Sequence, residues 1–192
     1  MLEDLTTNVI AIAEHTKAAL PILEAIVIVL FAVWFLNLLL GGRLLYLGIL
    51  PRNPIGLLGI VFSPFLHADF NHLFFNLIPL VALSDFVLVQ GLKCYLFVTV
   101  TITLISGFLV WCFGKKGLHI GASGLISGYW GFLVMNIYHG GGVLSIILGV
   151  VSLYYFAAIF FGIFPSEKGV SWEGHLFGLL AGVCSSYLLI AL

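Results

Sequence analysis

From residue 22 to residue 191 the sequence is a succession of apolar runs about 20 residues long, parted by short breaks of glycine and charge. A helix of about 20 apolar residues crosses roughly 30 Å of hydrocarbon, so each run reads as one membrane span. Six runs qualify, at about 22–40, 70–89, 94–113, 119–138, 144–164 and 172–191. They end at Gly41-Gly42-Arg43, Gln90-Gly91-Leu92-Lys93, Gly114-Lys115-Lys116-Gly117, His139 to Gly142, and Pro165 to Gly169. Glycine beside charge is ordinary punctuation between such elements. The expectation is an all-α polytopic membrane protein, a single domain of six transmembrane helices.

Composition supports this and closes other routes. Apolar residues make up 62% of the 192, and Asp, Glu, Lys and Arg only 8%. A soluble domain carries about 25% charged residues, and so few cannot coat a soluble surface. Seven Lys and Arg scattered along the chain form no basic patch, which excludes a nucleic-acid partner. Cys94, Cys112 and Cys184 are too widely spaced for a zinc site and odd in number for a disulfide framework.

Two regions fall outside the spans. Residues 2–19 mix Leu, Val and Ile with Glu3, Asp4, Glu14 and Lys17, which suggests a helix lying at the membrane surface. Residues 1–21 are accordingly read as an N-terminal interfacial segment, and 22–192 as the membrane domain. Glu3 and Asp4 stand where a secretory signal would be basic. Residues 41–69 are apolar but broken by Arg43, Pro51, Arg52, Pro54 and Pro64. They predict a half-submerged loop, packed against protein where its backbone can be satisfied.

Six spans put the starts of the second, fourth and sixth on one membrane face, and the chemically capable residues gather at those starts. The fourth opens Gly121-Ala122-Ser123-Gly124, a hydroxyl at a helix start where free backbone N–H groups can face an oxyanion. The plain alternative for Ser123 is a helix N-cap. The sixth carries His175 beside Gly174, Gly178 and Gly182, a stripe that allows close helix approach. The fourth answers with Gly124 and Gly128, and with Ser127 and Gly131. Packing these faces would bring Ser123 and His175 to one depth, as a serine nucleophile needs an adjacent base. The plain alternative for His175 is a core histidine bonded to a backbone carbonyl. The second start holds His67, Asp69, Asn71, His72 and Asn76. His72 and Asn76, one turn apart, share a face and can both donate hydrogen bonds. For His67, Asp69 and Asn71 the plainer role is tying down the preceding loop.

These residues resemble the rhomboid intramembrane serine proteases. The likeness rests on His67-x4-His72-x3-Asn76, Gly121-x-Ser123-Gly124 and His175-x2-Gly178-x3-Gly182, in that order on those spans, and covers about residues 22–191. It implies a Ser-His dyad, with Ser123 as nucleophile and His175 as general base. His72, Asn76 and the Ser123 backbone N–H would form an oxyanion hole. Gly121, Gly124, Gly178, Gly182, Ser127 and His67 would support the site. The reaction implied is cleavage of transmembrane segments of membrane proteins through an acyl-enzyme, with the lipid bilayer as surroundings and no metal or other cofactor. Some bacterial members carry Tyr four residues after the nucleophile, stacked on the histidine; here that residue is Ser127. A Trp-Arg pair common in the first loop of members is also missing from residues 41–69.

The family places the N-terminus in the cytoplasm and the active face outside, in a bacterial-type plasma membrane. That leaves Lys17 and Lys93 inside, with Arg43, Arg52, Lys115, Lys116 and Lys168 outside, against the positive-inside rule. Two other functions compete. One is a non-catalytic relative that binds client transmembrane helices. The other is a small transporter, which would need polar residues along a continuous path rather than gathered near one face.

Overall fold

The computed structural model describes residues 2–140, 142–164 and 171–191. Its helices are α1 (Leu2–Leu39), α2 (Gly59–Phe62), α3 (Phe70–Leu88), α4 (Leu92–Phe113), α5 (Ser123–His139), α6 (Val143–Phe156), α7 (Ala158–Phe161) and α8 (Trp172–Ile190). No strand occurs among the described residues. Four of these helices are long and apolar enough to cross a membrane: α1, α3, α4 and α8. With α5 and the α6–α7 pair they make the six-membered helical bundle. The protein is an integral, multi-pass membrane protein.

α5 has 17 residues, about 26 Å at 1.5 Å per residue. It need not match the bilayer, because it is the central helix. Ile126 through Leu133 are all buried, among α3, α4, α6 and α8. Around it Leu73, Leu83, Val98, Ile102, Tyr129 and Phe132 form the fully buried core. Many large apolar side chains point outward instead, Phe35, Phe75, Phe108 and Phe161 among them. That is the expected inversion where the solvent is hydrocarbon.

Three boundaries differ from the sequence reading. The break drawn near residue 21 is absent, and α1 runs unbroken through Pro21 for 38 residues. That is about 57 Å, far more than a bilayer core, so part of α1 projects beyond it. Proline is tolerated there because membrane helices can satisfy the freed carbonyl by other means. The fourth span starts at Ser123 rather than near 119. The preceding residues are held out of the helix: His119 and Ile49 exchange backbone hydrogen bonds, Gly121 N–H donates to Ser63 O at 2.9 Å, and Gly121 has φ +104°. The fifth span stops at Phe156, and a separate short turn, α7, follows. The break at Pro165–Gly169, with Lys168, lies outside the described residues, as does Gly141.

The loop between α1 and α3 is the half-buried apolar layer its sequence suggests. It is built of 3-10 turns (Arg43–Leu47, Pro54–Leu57, Ser63–Phe65) around α2. Its polar backbone is tied to the protein. Arg52 N–H donates to Trp111 O, and the Trp111 indole donates to Asn53 O at 2.8 Å. The Arg52 guanidinium donates to Cys112 O and Gly114 O, at 3.0 and 2.9 Å. A cation there satisfies free carbonyls and complements the negative end of the helix.

Candidate active site

Glycine sets the distance between the helices that carry Ser123 and His175. A Cβ at Gly178 would overlap Gly124 O, and one at Gly182 would overlap Gly128 O. A Cβ at Gly131 would stand 2.8 Å from Leu179 Cδ1. Backbone therefore meets backbone along the α5–α8 seam, as the spaced small residues predict.

At one end of the seam lies a cavity of about 690 Å³. Ser123, His175, His72, Asn76 and Ser127 all line it, together with His119. The structure thus gathers around one space the four residues Ser123, His175, His72 and Asn76, which three separate motifs supplied, together with Ser127. His67 is not among its walls. It is 1% exposed and packs edge-on against the His72 ring, centroids 5.0 Å apart. Burial, and then the neighbouring His72, pushes its pKa down to about 4.

Ser123 is the first residue of α5, and the N-cap is Ala122. The plain alternative for this serine, an N-cap, therefore does not hold. No hydrogen bond joins Ser123 to His175 among the described residues, so the direct contact expected of a dyad is not formed here. The His175 Nδ1 atom is buried and has no hydrogen-bond partner. Ser127 is 1% exposed, and its hydroxyl also lacks a partner. Such orphans are rare in protein interiors, and here they face one cavity.

The first turn of α3 is fixed by its cap. Asp69 accepts from His72 N–H at 2.8 Å, and Asn76 Nδ2 donates to His72 O at 2.7 Å. The second occupies one of the two Asn76 N–H groups and leaves one free. The His72 ring stands over Gly121, where a Cβ would come within 2.6 Å of Nε2. With φ +104° as well, Gly121 has two independent reasons to be glycine.

Two residues on the cavity wall were missed by the sequence reading, His119 and Ser171. They form a closed hydrogen-bonded pair. His119 Nε2 lies 2.9 Å from Lys115 O, so it carries the proton, and Nδ1 then accepts from Ser171 Oγ at 2.7 Å. Ser171 is also the N-cap of α8, accepting from Gly174 N–H at 3.3 Å. Lys115 reaches across to α8, with Nζ 3.9 Å from the buried Glu173 carboxylate and 5.4 Å from the centre of the Trp172 ring. The N-cap was readable from Ser-Trp-Glu-Gly. The pairing with His119 was not, because the two residues lie 52 positions apart.

The Rhomboid domain family model matches residues 55–192. This chain belongs to the rhomboid family. Rhomboid proteins are generally intramembrane serine proteases. Among its relatives, uncharacterized protein Rv1337 of Mycobacterium tuberculosis is 39% identical over 175 residues, covering 86% of this chain and 72% of that one. Uncharacterized protein ML1171 of Mycobacterium leprae is 37% identical over 158 residues, 74% of this chain and 62% of that one.

Proposed function

We propose that this rhomboid protein is an intramembrane serine endopeptidase that cuts transmembrane segments of other membrane proteins. The observation that carries the reading is the shared cavity, with Ser123 and His175 across a glycine seam and His72 and Asn76 opposite. In the reaction, Ser123 Oγ attacks the scissile carbonyl carbon while its proton passes to Nε2 of the His175 imidazole. The carbonyl oxygen becomes an oxyanion, stabilised by the free Asn76 N–H, the His72 ring and the Ser123 backbone N–H. The C–N bond breaks as His175 returns the proton to the leaving amine. Water, activated by His175, then hydrolyses the acyl-enzyme and restores Ser123. No metal or other cofactor enters these steps. The missing Ser123–His175 hydrogen bond fits a resting site, since such bonds often tighten only when substrate binds.

That same missing bond favours one second reading, a non-catalytic relative that holds client helices in the cavity. Purified protein in liposomes, incubated with a transmembrane substrate, separates the two. Cleavage by wild type that vanishes in Ser123→Ala supports the protease. Binding without cleavage, equal in both, supports the client-holding reading.

We place the N-terminus in the cytoplasm and the cavity on the extracytoplasmic side of a bacterial plasma membrane. The opposing charge bias is weakened because Arg52 caps α4 and Lys115 packs on Trp172 and Glu173, so both are committed within the fold. Reporter fusions at the C-terminus test this; an extracytoplasmic reporter would reverse the assignment.

A further inference from the structure

We infer that the main chain of Gly162 is the positioning element for the His175 imidazole, in place of the aromatic ring that some rhomboid proteins carry at the position of Ser127. The inference rests on the protease reading above.

Three observations carry it. First, the break after α6 turns α7 towards the cavity, where Ala158, Ile159 and Gly162 share the wall with His175. Second, Gly162 lies so close to the ring that a Cβ there would overlap His175 Nδ1. Its backbone is ordinary right-handed helix, φ −66° and ψ −15°, so conformation alone does not call for glycine. The close approach of the imidazole does. Third, among the described residues no backbone N–H donates to the carbonyl of Gly162. Phe160, Gly162, Ile163 and Phe164 donate to the carbonyls three residues back, at 3.0–3.3 Å. The next donor in that run would be residue 165, which is proline and has no N–H.

A carbonyl with no backbone donor among the described residues thus belongs to the residue that lies against the buried His175 Nδ1, which itself lacks a partner. Donation from Nδ1–H to Gly162 O fixes both the ring and its tautomer. It leaves the Nε2 lone pair to take the Ser123 proton. A backbone acceptor on the α7 turn does here what a stacked ring does from α5.

The test compares wild type, Gly162→Ala and Phe161→Ala, reading kcat and KM on a transmembrane substrate, the rate of Ser123 labelling by a fluorophosphonate, and Tm. Alanine fits the helical φ of residue 162, so Gly162→Ala is expected to keep its Tm. Its methyl displaces the ring, so kcat and labelling rate should fall together by about 10–100-fold, the cost of a misplacement of roughly 1 Å, with KM unchanged. Phe161 is 70% exposed on the same turn and outside the cavity, so Phe161→Ala should keep wild-type kcat. Wild-type kcat in Gly162→Ala would overturn the inference. So would an equal loss in Phe161→Ala, or a change confined to KM. A wild type whose Ser123 does not label at all would instead defeat the protease reading, and this inference with it.

Discussion

Two serine–histidine pairs border the same cavity, and they are built in opposite ways. Ser171 and His119 form a closed unit in which hydroxyl and imidazole both have partners. Ser123 and His175 face the cavity without a hydrogen bond between them, and His175 Nδ1 is an orphan. A satisfied pair has little to gain from a new partner. Its hydrogen bonds hold the 115–121 loop to the start of α8, a clamp on the frame of the site. An open pair at a helix start leaves the Ser123 hydroxyl and one face of the imidazole free to engage an incoming carbonyl, as the proposed reaction requires. The second pair is therefore the one to which we assign chemistry.

Breaking the open pair should have the largest effect. Ser123→Ala and His175→Ala should each lower cleavage by at least about 10⁴-fold, and the double variant no further, because members of a catalytic unit fail together. Rates of transmembrane-substrate cleavage by the three proteins check this. Next comes Asn76→Ala, which removes one proposed oxyanion donor and should cost about 10²–10³-fold in kcat. Single-turnover rates, measured beside the protein's Tm, separate that loss from any slackening of the α3 first turn.

The support behind His72 can be tested by pH. His67 is held near 4 against an ordinary value of 6.5, so between those values the unfolded chain binds a proton that the folded protein refuses. Stability should be full above about pH 6.5 and fall as pH drops towards 4, by on the order of 3 kcal/mol. Unfolding in mixed detergent across that range should show the slope in wild type and lose it in His67→Gln. The smallest effect belongs to the closed pair. Ser171→Ala should lower stability by about 1 kcal/mol, the usual cost of a lost N-cap, and leave the cleavage rate near wild type. Cleavage that failed in Ser171→Ala at intact Tm would erase the distinction between the pairs.

Much of this arrangement was legible in the sequence, and for identifiable reasons. Gly124, Gly128, Gly178 and Gly182 predict a close seam because spacings of four repeat on one helix face. Span counting predicts three polar clusters on one membrane face, and Ser123, His175, His72 and Asn76 do line one cavity. What escaped has a common cause, dependence on contacts distant in sequence or on local hydrogen bonding. The charges among residues 2–19 read as a separate segment ending near residue 21, yet α1 continues through that point. His119 and Ser171 carry no motif that links them. Gly162 looks like one more small residue in an apolar run until the fold brings it against His175.

The central claim is that Ser123, and not Ser171, is the activated hydroxyl of this site. The most direct measurement is peptide mapping by mass spectrometry after treating the reconstituted protein with a fluorophosphonate. A single adduct on Ser123 is expected, abolished in His175→Ala and retained in His119→Ala. An adduct on Ser171, or labelling of Ser123 that persists undiminished without His175, would contradict it.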